Sequence, residues 1–380
     1  MAHVERRGQR WRARYRGPDG RERNRSFTRR VDAERWLAVA TADVVRGEWV
    51  DPALGRLTLA AWSSRWEAGL VGLRPSTRAL NLRVLRGHLL PRFGSTPLGR
   101  ITHADVSAMV AADMAAGLSA SATRRHVFVL RSVLEAAVAD GRLARNVARD
   151  VRLPAERTRP MRTLTPAQVA ELADTVRPVH YRPMVLAAAY VGLRFGELAG
   201  LRVDKVDVLR RTILVDTQLV EVDGDLSWGP PKSSAGTRTV TMPATVAQLL
   251  GEHMGTAPVR ESALVFPTVT GRPLRRTHWA KTWRRAVVDT FAGTDLENLT
   301  FHETRHTAAS LAIAVGAHPA VIRDRLGHSS ITTTLDRYGH LFPSLDEALA
   351  EGLDGLLRDS LAATVRPEDG RTVRLRRSGG

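Results

Sequence analysis

A chain of 380 residues with 43% hydrophobic residues can bury a sizeable core but is too long for one ordinary domain. Its formal net charge of +18 calls for a polyanionic partner, nucleic acid before an acidic membrane surface. The lack of cysteine excludes disulfides, thiolate catalysis and cysteine-based zinc sites; a charged N-terminus and short apolar runs argue against a secretory signal and a membrane span, so a soluble, cytoplasmic protein is expected.

Residues 1–50 read as a separate basic piece. Eleven arginines lie between Arg6 and Arg30, against Asp19 and Glu22 as the only acids there. Arg10-Trp-Arg-Ala-Arg-Tyr-Arg16 alternates as a strand does, Gly17-Pro-Asp-Gly20 is a turn, and Arg21 to Thr28 returns as a second strand. A helix follows over Val31 to Arg46, anchored by Trp36, Leu37 and Val44. Arg10, Arg12 and Arg14 on such a sheet suit a DNA backbone or groove.

Residues 57–150 read as all helix, with helical patterns over Thr58–Leu70, Ser76–Leu90, His103–Ala116 and Ser121–Asp140. Ser76 and Ser121 are candidate N-caps, and breaks are expected at Gly72, Pro91-Arg-Phe-Gly94 and Gly117. Arg124 and Arg125 fall in the expected first turn of the last helix. The dipole disfavours positive charge there unless a phosphate offsets it, which makes both candidate DNA contacts.

Residues 151–162 read as an exposed linker with Pro154 and Pro160. A mixed domain is expected over 163–358. Helices are predicted at Pro166–Val176 and Tyr181–Gly192, and strands at Thr212–Val222 and Thr237–Met242 around a turn-rich Asp223–Gly236. Further helices are predicted at Thr245–Met254, Arg275–Val288, His302–Val315, Pro319–Leu326 and around Tyr338. A last amphipathic helix is predicted over Leu345–Leu357, and a basic disordered tail over 359–380. The fold class is mainly α with small β-sheets.

Five short patterns in the C-terminal half carry chemistry. Gly192-Leu-Arg-Phe-Gly-Glu-Leu198 sets Arg194 just after a helix, with Glu197 three residues on. Pro231-Lys-Ser-Ser-Ala-Gly236 sets Lys232 in a turn between strands. His302-Glu-Thr-Arg305 puts two polar groups on one helix face. Leu326-Gly-His328 is a helix end followed by histidine. Leu335-Asp-Arg-Tyr338 carries the one tyrosine after Tyr190. Lysine occurs only at Lys205, Lys232 and Lys281 in this arginine-rich chain, a bias that GC-rich coding accounts for by default, so each of the three is a place to inspect for a role that arginine does not suit. His302-Glu-Thr-Arg-His306 also fits the HExxH zinc protease pattern, an alternative without an evident third ligand or a use for the charge.

The ordered set Arg194, Lys232, His302, Arg305, His328 and Tyr338 resembles the active-site signature of the tyrosine recombinase (phage integrase) family. The preceding helices, with Pro91-Arg-Phe-Gly94 and Asn146, resemble that family's core-binding domain, and residues 1–50 its arm-binding domain. Glu197 fits the acidic position of the first motif. Glu303 stands where an aliphatic residue or aspartate is usual, and the step from His328 to Tyr338 is one residue longer than in many relatives. The resemblance implies strand exchange at double-stranded DNA attachment sites through a 3′-phosphotyrosine on Tyr338. Arg194, Arg305, His302 and His328 would hold the phosphate, Lys232 would act as general acid, and Glu197 would support them. It implies no cofactor and no metal, and a homotetramer on DNA, with accessory DNA-bending or directionality factors as further partners. A catalytically silent DNA-binding protein of the same fold is the second alternative. From the charge, affinity for DNA should fall steeply between low and physiological ionic strength; a flat salt dependence in a binding titration contradicts it.

Overall fold

Arg10, Arg12, Arg14 and Arg16 alternate with Trp11, Ala13 and Tyr15, which gives a strand one basic and one apolar face. The computed structural model describes residues 2–46, 49–51, 53–156, 160–256, 263–342 and 345–364, and in it this segment is β2 (Arg10–Arg16). It is the centre of an antiparallel sheet with β1 (His3–Arg7) and β3 (Glu22–Phe27) at its edges. β1 adds to the two strands expected, since its residues carry no apolar alternation to mark it. Helix α1 (Arg30–Arg46) covers the apolar face, where Trp36 meets Tyr15 edge-on at 5.4 Å and Phe27 at 5.9 Å. The anchors Trp36, Leu37 and Val44 are only half-buried; Ala33, Ala13 and Tyr15 form the small core.

Residues 57–150 are helical: α2 (Leu59–Ala68), α3 (Pro75–Val84), α4 (Leu90–Phe93), α5 (His103–Ala115) and α6 (Ala120–Ala139). Trp62 and Trp66, one turn apart on α2, pack on α6 and donate their indole N–H groups to Val133 O (2.9 Å) and Ser132 Oγ (3.3 Å). Two expected caps are corrected. Pro75 suits the first helical position, so α3 starts there and Ser76 lies inside it. Ser119, not Ser121, accepts from Ala122 N and opens α6. Pro91 does not break the helix. A π turn over Leu85–Leu89 precedes it, and its nitrogen falls in the first turn of α4, where no N–H is needed.

The chain folds as two compact units, Met1–Arg159 and Pro160–Gly380. The expected linker over 151–162 stops short of its last residues. Arg162 donates to both carboxylate oxygens of Glu303 (2.8 and 2.9 Å) and to the carbonyls of Asp295 and Asn298, which holds it in the second unit.

That unit is organised by α8 (Arg182–Val191), a helix apolar all round, whose Met184, Val185, Ala187, Ala188 and Ala189 are fully buried. Around it lie α7 (Pro166–Thr175), the short α9 (Phe195–Ala199), α10 (Ala244–Met254) and α11 (Arg276–Phe291). Helix α12 (Glu303–Ala314) packs along it, followed by α13 (Pro319–Leu326) and α14 (Ile331–Tyr338). The start of α7 is fixed by a reciprocal cap between Thr165 and Gln168, worth about 1 kcal/mol. The strand expected over Thr212–Val222 is two strands in different sheets. β5 (Thr212–Val215) lies between β4 (Val206–Asp207) and β8 (Arg238–Thr241), and β6 (Gln218–Val222) pairs with β7 (Asp225–Gly229). The break falls at Asp216, which turns away to meet Lys205 Nζ at 2.9 Å. β7 occupies part of the region expected to be turn-rich.

The last helix, α15 (Leu345–Thr364), runs past the expected end at Leu357 and takes in the first residues of the expected tail; residues 365–380 lie outside the described residues. No helix among the described residues is long and apolar enough to cross a membrane.

Gly327, the left-handed cap of α13 at φ +63°, makes a close approach: a Cβ there would lie 2.8 Å from Ala235 O and 3.1 Å from Arg238 Nη1. Gly327→Ala should therefore cost at least ~1–2 kcal/mol from the left-handed backbone alone. A denaturant midpoint equal to that of the parent protein contradicts this.

Candidate active site

The site forms where side chains converge on the C-terminal ends of α8 and α13. Gly192, at φ +80°, terminates α8 and turns the chain so that Arg194 caps α9. The Arg194 backbone N–H donates to Glu197 Oε2 (2.9 Å) and its Nη1 to Oε1 (2.8 Å). About a quarter of the Arg194 side chain (28%) stays open to solvent, whereas that of Glu197 is 1% exposed. Arg238, at the start of β8, reaches the same carboxylate from the other side through Nη1 (3.3 Å) and Nη2 (3.0 Å). Its Nε donates to Arg325 O at 2.7 Å, so one guanidinium joins β8 to α13. Burial pushes the Glu197 carboxyl pKa up, but the Arg238 hydrogen bond and the Arg238 and Arg194 charges hold it below the usual range.

Arg305, in the first turn of α12, is buried and, among the described residues, hydrogen-bonds backbone carbonyls and not a carboxylate. Nη1 donates to Gly192 O (2.6 Å) and Nη2 to Leu326 O. These carbonyls belong to the C-terminal ends of α8 and α13, where the helix dipoles are negative. Burial, then the Arg194 charge, pushes the Arg305 pKa down to about 9. The guanidinium is held by dipoles and keeps its full charge for an anion.

His328 follows Gly327 and pairs through Nδ1 with the buried Thr334 Oγ1 at 2.9 Å, which fixes its ring. Its pKa is pushed down to about 4 by burial and then by Arg305 and Arg194. His302, the N-cap of α12, has an exposed edge but dense protein around the ring. That packing, then His306, Arg305, Arg194 and Arg337, likewise push its pKa down to about 4. Both imidazoles are therefore neutral at physiological pH. Tyr338 ends α14, is 1% exposed, and packs with Ala309, Ile313, Ile322 and Leu326. Its hydroxyl lies 2.8 Å from His306 Nδ1. Lys232 is exposed, in the loop between β7 and the turn Ser234–Gly236, and Ala235 of that turn docks its carbonyl against Gly327.

The structure thus gathers Arg194, Glu197, His302, Arg305, His328 and Tyr338, with the loop of Lys232 seated beside them. Sequence reading missed Arg238, Thr334 and the contact of His306. Nothing in a strand-initial arginine or a mid-helix threonine announces a buried partner, and His306 stood out only through HExxH. In that pattern Glu303 is taken by Arg162 and by the N–H and hydroxyl of Thr300, which leaves it poorly placed as a base. Among the described residues no group of three acidic or histidine side chains could hold a metal.

In the first unit, Ala13 and Tyr15 face α1, so Arg12 and Arg14 lie on the opposite face of the sheet beside Arg10. Arg14 is drawn to Glu5 (2.7 Å) and Glu22 (3.3 Å). Arg124 and Arg125 fall in the second turn of α6, not the first, because the helix opens at Ser119. Arg124 is held near Pro154 O (3.3 Å) and Glu156 (3.4 Å), while Arg125 is exposed.

Residues 162–344 match the phage integrase family, and residues 4–46 match the phage integrase N-terminal domain. The chain is 31% identical over 359 residues to the prophage phiRv2 integrase of Mycobacterium tuberculosis, across 91% of this chain and 93% of that protein. It is 29% identical over 361 residues to the integrase of Mycobacterium phage D29, across 90% and 91%. In fold it is similar to the Tn1549 transposon integrase in complex with transposon right end DNA. That match has a TM-score of 0.67 at 22% identity and covers 78% of this chain and 98% of the other. It is also similar to a lambda integrase tetramer bound to a Holliday junction, with a TM-score of 0.54 at 18% identity over 90% and 94%.

Removing the charge of Glu197 should leave Arg238 buried without a counter-charge, at a cost of about 3–5 kcal/mol in Glu197→Gln. Because the folded carboxyl titrates below its unfolded value, this contribution is present above the unfolded carboxylate pKa and is lost as pH falls through the folded one. Denaturant unfolding at several pH values should show the gap between parent and variant narrowing in acid; a gap that does not depend on pH overturns the assignment.

Proposed function

Because the chain belongs to the phage integrase family of tyrosine recombinases, we propose that it cuts and rejoins double-stranded DNA at specific attachment sites. The observation that carries the reading is the pair of arginines beside one tyrosine: Arg194 and Arg305 share the ends of α8 and α13, and Tyr338 packs against Leu326 between them. Two bidentate guanidinium groups suit the non-bridging oxygens of a phosphodiester in a pentacoordinate transition state. The neutral His302 and His328 add hydrogen bonds without competing for the charge.

The Tyr338 oxygen attacks the scissile phosphorus and forms a 3′-phosphotyrosine link. The 5′-oxygen departs with a proton from Lys232, since an ammonium can shed one and a guanidinium cannot. The 5′-hydroxyl of a partner strand then attacks the link and returns the proton balance. The phosphodiester bond energy is kept in the link, so the reaction draws on neither ATP nor a metal.

Further readings rest on the same family. Arg10, Arg12 and Arg14 would face arm-type DNA, and Arg124 and Arg125 the core site; the arm sheet argues for an integrase over a resolvase. Helix α15 exposes Leu353, Leu356, Leu357 and Leu361 along one side and would dock on a neighbouring protomer in a tetramer on DNA. DNA-bending or directionality factors would act on that assembly, in the cytoplasm.

Tyr338→Phe should bind DNA as the parent does and form no covalent adduct. Lys232→Ala should form it about 10²–10⁴-fold more slowly. A substrate with sulfur in place of the bridging 5′-oxygen should rescue Lys232→Ala and leave Tyr338→Phe inactive, because a thiolate departs without a proton. Failure of sulfur to rescue removes Lys232 as general acid. A binding-only protein of this fold would give no adduct with any form.

A further inference from the structure

A buried phenol must give up its proton as it attacks, and the residues so far assigned supply positive charge, imidazole hydrogen bonds to the phosphate or a leaving-group proton. Burial pushes the Tyr338 pKa up, against the opposing charges of Arg305 and Arg337, so the resting side chain is a neutral phenol. Its hydroxyl is held at 2.8 Å by His306 Nδ1, with the ring centroids 5.8 Å apart. His306 is half-buried one turn along α12 from His302, and their rings meet edge-on at 5.4 Å. We propose that His306 is the general base of strand cleavage: its Nδ1 takes the phenolic proton of Tyr338 as the Tyr338 oxygen attacks phosphorus, and returns it when a 5′-hydroxyl reverses the step.

The step balances with the groups present. The O–H bond of Tyr338 breaks and an N–H bond forms on His306 Nδ1, while the O–P bond forms and the 5′-oxygen leaves with its own proton from elsewhere. Microscopic reversibility then makes the His306 imidazolium the acid that expels Tyr338 during religation. A phenol held by neutral Nδ1 requires the imidazole proton to sit on Nε2.

The surroundings keep His306 available as a base. Burial, then Arg337 and Arg305, push its pKa down, while Glu303 opposes; the neighbouring His302 ring is itself neutral. The imidazole is therefore unprotonated at physiological pH. The Glu303 carboxylate, fixed on Arg162, lies close enough to temper the cost of the imidazolium that forms. The sequence pattern that suggested a metalloprotease thus has another use here: its second histidine faces a tyrosine, and its glutamate is held by an arginine.

The proposal rests on Tyr338 being the nucleophile, and the experiment separates the two. Covalent adduct formation is measured on a nicked attachment-site substrate that traps the phosphotyrosine, between pH 5 and 9, with the full-length protein. If the parent protein forms no adduct, or Tyr338→Phe still does, the nucleophile reading fails whatever His306 does. If adduct forms, the parent rate should be level above the ordinary histidine range and fall only below it. His306→Asn places an amide oxygen where Nδ1 lies, so the hydrogen bond is kept and the basicity is lost. It should slow cleavage about 10²–10⁴-fold and turn the level region into a rate that climbs with pH. The 5′-sulfur substrate should not restore it, in contrast to Lys232→Ala. His306→Gln, melted alongside, serves if the asparagine variant fails to fold. Parental rate and pH profile in a folded variant, or rescue by sulfur, overturns the assignment; so does a parent rate that climbs steadily with pH through neutrality.

Discussion

The carboxylate of Glu197 lets the rest of the site exist. Arg194, Arg238 and Arg305 crowd into one region beside two histidines, and bringing such charges together in a partly dry interior is unfavourable without a counter-ion. Glu197 supplies it from a position that a ligand cannot displace, at 1% side-chain exposure, bonded to both Arg194 and Arg238. One negative charge does not cancel three positive ones. The net positive field that is left is what a DNA phosphate would meet, and it adds to the burial that keeps His302 and His328 neutral.

The two arginines assigned to phosphate are held in different ways, and the difference has a chemical meaning. Arg194 is tethered by a carboxylate and keeps part of its guanidinium open. Arg305 is held by the carbonyls of Gly192 and Leu326, so its position is fixed by the ends of two helices. A carbonyl dipole orients a cation without neutralising it, whereas a carboxylate does both. The pair thus combines one arginine bonded to a full charge with one bonded to carbonyl dipoles and steadied by the Glu197 charge only at a distance. Both depend on Gly192 and Gly327, whose left-handed backbones let the chain turn at the carbonyls concerned and allow close packing of Leu326 and Ala235.

Helix α12 concentrates the remaining chemistry in five consecutive residues. His302 opens it, Glu303 faces Arg162, Arg305 enters the interior, and His306 reaches Tyr338. The helical period decides this division, since positions three and four apart share a face while neighbours diverge. Glu303 binds Arg162, near the start of the second unit, so the start of α12 and the first residues of that unit are fixed by one ion pair.

The sequence by itself determined the local elements and the identity of the reactive groups. Periodicity placed α8, α12 and α13 to within a residue or so, because each carries an apolar stripe with a glycine or proline at an end. The scarcity of lysine drew attention to Lys232, and the ordered motifs to Arg194, Arg305, His328 and Tyr338. Caps at neighbouring serines were not legible, since Ser119 and Ser121 differ only in which backbone N–H each can reach. The split of Thr212–Val222 depended on Asp216 meeting Lys205, a contact between segments. Arg238 and the His306 contact were equally hidden. A buried ion pair and a hydroxyl-to-imidazole hydrogen bond join residues 41 and 32 positions apart, and short-range pattern carries no record of such distances. Only the tertiary structure, by bringing the ends of α8, α13 and α14 to α12, decided which charges are compensated and which side chain receives the tyrosine's hydroxyl.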